Sequence, residues 1–432
     1  MRLLFCVEFY FPSIGGAQEV VRQIAERMVS KGHNVSVATT KSTARASLKH
    51  SGVDIIEFDV SGNLVKGIRG EVSNYRNFLT TQTFDIVFFY AAQQWTFDAS
   101  WEVFDKMAGK KVLVPCGYSG LFDSAYKSYF SELGDILQKM NAVVYHARDY
   151  RDFKFAATLG LSNSVVIPNG ADLEEFDGPI GASIRLKFGA KESAFVILTV
   201  GTITGMKGHL ELVRAYAEAN FDGRDALLIL NGNRPVSSGQ SASLFNRFIA
   251  LIRGYGLLYT IRHTLKLGLI ALGIPVGNDN KIERIVTDLN RHKGKCAVLV
   301  NLPRAELLQA YLQADLFVFA SNIEYSPLVL FEAAAAGLPF LTVPVGNSNE
   351  IIEWTGGGEI CPAAIDNHGH TRVNPKDLAR NIESLAKDEV RRIELGKRGK
   401  AAAFKRFNWT HLVNEYESLF IGLVAEGKIA NE

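Results

Sequence analysis

A chain of 432 residues, 47% hydrophobic and 21% charged with 38 glycines, exceeds one ordinary core and predicts two or three α/β domains rich in tight turns. Its 47 basic and 45 acidic side chains leave a net charge of +2, which argues against a nucleic-acid partner. Four cysteines, Cys6, Cys116, Cys296 and Cys361, stand far apart without a CxxC pair; this argues against disulfides and structural zinc and fits a reducing, cytoplasmic setting.

The opening "MRLLFCVEFYFP" reads as a first buried strand, not a signal peptide, because no long apolar region precedes a small-residue cleavage site. The sequons at Asn34 and Asn408 then carry no weight. No stretch reaches the roughly 18 uncharged apolar residues of a membrane span. A helix is expected through "AQEVVRQIAERMVSKG", then a strand at "NVSVATT", an irregular basic stretch, and strands at "FDIVFFY", "KKVLVPC" and "AVVYHA". Short apolar runs bounded by turn residues and separated by helices imply buried parallel strands in βαβ units. This unit closes near "SVVIPNGADLEEF", where Pro168, Asn169 and Gly170 mark a turn.

The pattern then restarts, with strands at "SAFVILTVG", "ALLILNG", "CAVLVN", "DLFVFAS" and "PFLTVPV" and helices at "GHLELVRAYAEA", "PRAELLQAYLQA" and "SPLVLFEAAAAG". Two successive units predict two facing Rossmann-like domains, 1–180 and 181–403, with a last helix in 404–432 expected to cross back. Within the second unit, 236–290 is an insertion. Its apolar residues Phe245, Phe248, Ile249 and Ile252 recur at helical spacing, with Arg247 and Arg253 among them and Arg262, His263 and Lys266 after them. Basic-apolar helices of this kind can lie in the headgroup layer of an acidic membrane, here through 240–275; the alternative is a helix pair packed on its own domain or in a dimer contact.

Three places carry candidate chemistry. Gly15 and Gly16 follow the first strand and open the first helix, where bare backbone can meet a phosphate or sugar, although a plain tight turn explains them as well. "VGTITGMKGHLEL" joins a strand to a helix through Gly201, Gly205, Lys207 and Gly208, offering close backbone approach and a mobile cation; its alternative is an ordinary turn with a solvated lysine. In "SNIEYSPLVLFEAAAAGLPF", Ser326 is expected as N-cap, Pro327 as first helical residue and Gly337 past the end. The amides of Leu328 and Val329 then lack intrahelical partners and favour an anion. Glu332 lies in the second turn with its Cβ tilted back toward that end, placed to accept from a vicinal diol. Capping explains Ser326 and Pro327 but not a glutamate among Leu, Val, Phe and Ala.

Together, "GGAQEVVRQIAERMVSKGHNVSVAT", "VVIPNGADLEEF", "VGTITGMKGHLELVRAYAEA" and "ELLQAYLQADLFVFASNIEYSPLVLFEAAAAGLP" resemble the family 4 retaining glycosyltransferases of the GT-B fold, the last segment matching that family's E-x7-E element. The resemblance covers most of the chain outside about 41–80 and 236–290. It implies that Glu332 holds the ribose of a nucleoside-diphosphate-sugar and that Glu324 meets a hydroxyl of the donor sugar. Leu328 and Val329 would hold the diphosphate by their amides, with Lys207 neutralising the leaving phosphate. It also implies that Leu302 lies near the base, that Gly15 and Gly16 face the diphosphate and acceptor, and that no metal or other cofactor is needed.

Two departures stand out. Thr202 occupies the place where an arginine usually follows the loop's first glycine, and Cys116–Gly117 stands about where relatives carry a histidine; His146 nearby reads as structural. The expected activity is retaining transfer of a sugar onto a glycan or lipid-linked acceptor in cell-surface polysaccharide synthesis, in the cytoplasm or on the inner face of its membrane. A GT-B epimerase, a glucan synthase and a silent sugar-nucleotide-binding or membrane-scaffold protein remain open.

Overall fold

The apolar runs become two parallel sheets, each buried between helices, in a computed structural model that describes residues 1–233, 278–367 and 369–429. The first sheet has the spatial order Ser164–Val166, Ala142–Tyr145, Lys110–Val114, Ile86–Tyr90, Arg2–Cys6, Asn34–Thr40, Val53–Phe58, Lys49–His50. Every pairing is parallel except the last. Its central strand Ile86–Tyr90 is buried on both faces, which is why "IVFFY" reads as a continuous apolar run rather than an alternating one.

The second sheet is wholly parallel, in the order Lys295–Val300, Ala226–Asn231, Phe195–Val200, Leu316–Phe319, Phe340–Thr342, Gly358–Ile360. In chain order this is third, second, first, fourth, fifth, sixth, so the winding reverses between Phe195–Val200 and Leu316–Phe319. The crevice outside the carboxyl ends of those two strands is where such sheets receive ligands.

Two regions depart from the sequence reading. The stretch after Thr40 is not irregular: it contains the strand Val53–Phe58 and a hairpin of Val60–Asn63 with Gly67–Gly70. Asp54 and Glu57 interrupt the apolar run because Val53–Phe58 lies next to the sheet edge and keeps one face partly wet. The insertion is also shorter at its far end than expected. Residues 278–289 form a helix whose Ile282 and Leu289 enter the second domain's core. The membrane reading of 240–275 lies outside the described residues. Among the described residues, no helix is long and apolar enough to cross a membrane.

The last helix, Trp409–Ile429, crosses back. Trp409, Leu412, Val413, Tyr416, Phe420 and Leu423 join the first domain's core, with Tyr416 and Phe420 edge-on to Phe88 at 5.8 and 5.9 Å. The chain changes domain twice at one place. Ile167 packs in the first core while Ala171 and Phe176 pack in the second, ahead of the division expected at 180. On the return, Phe407 belongs to the second core and Trp409 to the first. The two connections are tied together, Ala171 N–H donating to Phe407 O at 3.0 Å and Trp409 N–H to Ala171 O at 3.1 Å.

Candidate functional site

The loop after Phe195–Val200 and the loop after Leu316–Phe319 meet at the reversal of the second sheet. Gly208 makes this possible. It has φ +68°, and a Cβ there would lie 1.7 Å from the Ala320 carbonyl oxygen, so only glycine lets the first loop approach the end of Leu316–Phe319. Asn322 N–H then donates to Met206 O at 2.9 Å, fixing Lys207 beside the second loop. Lys207 Nζ reaches Glu324 Oε1 at 2.5 Å, and Ser321 Oγ donates to the same oxygen at 2.9 Å. Both charged side chains are largely buried, 29% and 15% exposed, so their attraction is less screened than on an open surface. Gly201 opens this loop, its N–H on Asn231 O at 2.9 Å, while Thr202 is exposed. Asn231 Oδ1 accepts from Leu302 N–H at 2.8 Å, which draws the Leu302 backbone to the same sheet edge.

The helix beyond Glu324 runs Leu328–Ala336 and ends on Gly337 in the left-handed region, as its sequence implies. Its start differs by one residue. Pro327 is the cap, with extended backbone at φ −70° and ψ 113°, and Ser326 makes no capping bond; its hydroxyl is buried without a partner. Extended backbone at Pro327 moves Ser326 one residue too far out to serve the first-turn amides. The helix start at Leu328 stands against the first domain, because the Leu328 side chain packs on that domain's core.

Glu332 is not left open to solvent. Its Oε1 lies 2.6 Å from Arg304 Nη1, and its Oε2 accepts from Tyr311 Oη at 3.0 Å. Burial raises the carboxyl above the ordinary range, while Arg304 and the two hydrogen bonds draw it back down. Arg304 also grips the Glu175 carboxylate through Nε and Nη2. From across the cleft, Glu19 in the helix Gly16–Ser30 interacts with the charge of Arg304, so the helix that Gly15 and Gly16 open faces the Glu332 corner. Gly15 itself is extended, at φ 176°.

Sequence reasoning missed the partner side of this site. Tyr325 reaches into the first domain, where its hydroxyl accepts from His146 N–H at 2.9 Å and donates to Asp152. Its ring lies 5.0 Å from that of Tyr150, whose hydroxyl donates to Glu324 O at 2.7 Å. A Cβ on Gly117 would lie 2.9 Å from the Tyr325 ring, so the turn just after Cys116, about where a histidine would be expected, is packed against tyrosine. Asn169 Nδ2 on Ser326 O at 3.1 Å and the Glu350 carboxylate on Arg148 N–H at 2.9 Å extend this clasp. His146 engages both ring nitrogens, with Ile167 O at 2.8 Å and Tyr90 Oη at 3.2 Å, and burial lowers it to about 4. That is the geometry of a structural histidine. The usable signal for the partners was spacing: Arg304 and Tyr311 are seven apart on the helix Arg304–Gln313 and share one face.

Asp152 gives the clasp a pH signature. Burial pushes its carboxyl from the usual 3.8 up to about 6, although Tyr325 and the Gly117 N–H, 2.9 Å away, stabilise the anion. A folded-state value above the unfolded one adds stability that is complete at low pH and lost as pH rises toward 6. Melting temperatures measured from pH 4 to 7 should therefore decline more steeply for the native protein than for Asp152→Asn. Parallel slopes would rule this out.

Residues 276–402 match the family model described as "Glycosyl transferases group 1". The chain is 27% identical over 253 residues to the D-inositol 3-phosphate glycosyltransferase of Kineococcus radiotolerans, covering 57% of this chain and 48% of that protein. It spans less than half the length of the curated relatives it matches, from 29% to 48%. Sucrose-phosphate synthase from Thermosynechococcus elongatus superposes with a TM-score of 0.70 at 17% identity, over 98% of this chain and 99% of that one. Anabaena Alr3699/HepE, solved in complex with UDP-glucose, does so at 0.66 and 14% identity over 100% of both chains. The chain thus has the GT-B fold, and residues 276–402 of its second domain match the group 1 glycosyl transferases.

Proposed function

We propose that this protein is a retaining glycosyltransferase that moves a sugar from a nucleoside-diphosphate-sugar onto a glycan or lipid-linked acceptor, as in cell-surface polysaccharide synthesis. One observation carries the reading: the Lys207–Glu324 pair stands at the reversal point of a parallel sheet, beside the helix start that precedes Glu332. A cation and free amides suit a diphosphate, and two carboxylates suit the hydroxyls of the rings on either side. Lys207 would stabilise charge that grows on the departing phosphate, and the two carboxylates would orient the sugar and ribose. The cation and helix terminus would serve where a metal ion otherwise could, so EDTA should leave turnover intact. The UDP-glucose complex of a structural neighbour favours a nucleotide-sugar donor.

Incubation with UDP-, GDP- and ADP-sugars, with and without acceptor extract, tests this reading. A transferase releases nucleoside diphosphate faster when acceptor is present. Turnover of the sugar without acceptor would instead indicate an epimerase, and binding without release a scaffold.

A further inference from the structure

We propose that Arg304 is a positioning residue that aims the Glu332 carboxylate at the ribose hydroxyls of the donor, an inference that rests on the nucleotide-sugar reading above. Arg304 Nη1 holds Oε1 at 2.6 Å and Tyr311 Oη holds Oε2 at 3.0 Å. Each carboxylate oxygen has two lone-pair directions, so one remains on each for a vicinal diol. Without these two donors the carboxylate would rotate about its last bond and lose that aim. Arg304 is itself fixed, because the Glu175 carboxylate takes its Nε and Nη2 as a fork.

The Arg304 side chain is 41% exposed, so it is no core brace. The charged groups around Glu332 are few. Arg304 and Tyr311 face it from Arg304–Gln313, and Glu175 from the turn Leu173–Phe176. Its own helix, Leu328–Ala336, has no other ionisable residue. Glu19 and Arg22 of the first domain act on Arg304 and Glu175 in turn.

The experiment measures binding of whichever of UDP, GDP and ADP the native protein takes up, together with its 2′-deoxy counterpart, across pH 5 to 8. The native protein should prefer the ribose form by about tenfold, the worth of one hydrogen bond to a charged group. Arg304→Gln should reduce affinity for the ribose form by about threefold, leave the deoxy form unchanged, and so shrink the preference without removing it. Arg304→Lys should restore part of it, and Tyr311→Phe should weaken it. Arg304 holds the Glu332 carboxyl down, so its loss should make the ribose preference fade at a higher pH than in the native protein.

Equal weakening of both forms with an unmoved pH profile would reduce Arg304 to a structural part and overturn the proposal. If Glu332→Gln loses the preference while Arg304→Gln keeps it undiminished, the positioning role alone fails. If the native protein binds no nucleoside diphosphate, the parent reading fails and takes this one with it.

Discussion

Lys207→Ala should lower turnover by about 10²–10³-fold, the range found when one group aimed at a developing oxyanion is removed. The ammonium is held in place by what surrounds it: Gly208 lies against Ala320, and Asn322 N–H pins Met206 O at 2.9 Å. Its Nζ lies on Glu324 Oε1 at 2.5 Å. On donor binding it would exchange that carboxylate for phosphate oxygens whose charge rises as the sugar departs. Interactions that strengthen only in the transition state raise kcat, so its loss should appear in kcat more than in KM. Steady-state release of nucleoside diphosphate at saturating donor gives the comparison. Turnover within about threefold of the native rate would exclude this role for Lys207.

Gly208→Ala should destabilise the second domain by about 2–5 kcal/mol. A left-handed conformation costs a non-glycine residue about 1–2 kcal/mol, and overpacking adds about 1–3. The clash is with backbone: the new methyl would lie 1.7 Å from Ala320 O, so the loop must retreat from the end of Leu316–Phe319. Retreat carries Lys207 away from Glu324, coupling a stability defect to a donor-binding defect. Differential scanning calorimetry should show a drop of roughly 5–20 °C, at a few degrees per kcal/mol for a domain of this size. An unchanged melting point with native nucleotide affinity would contradict this account of the loop.

The paired domains were legible because buried parallel strands leave continuous apolar runs. "IVFFY" and "ALLILN" are buried at every position and cannot be read as anything exposed. Val53–Phe58 escaped notice because an almost-edge strand needs only one dry face, so Asp54 and Glu57 broke the run. At the site, Glu332 announced itself as a charge inside an apolar helix, and Lys207 as a cation among glycines. Their partners did not. Arg304 and Tyr311 sit on one helix and Glu175 on a turn 129 residues before Arg304, and each alone looks like an ordinary surface or core residue. Tyr325 was inconspicuous for another reason: its meaning lies in Gly117, Asp152 and His146, between 173 and 208 residues earlier, and only the docking of two domains brings them together.

Because both strands of chain joining the halves run side by side through Ala171 and Phe407–Trp409, they act like a single pin in a door. Swinging about the line through that pin stretches neither strand, whereas sliding or twisting would tear Ala171 from both its neighbours. An opening of the cleft that turns about this pin would bring Glu324 and the Gly15–Gly16 turn back into the same register at each closing.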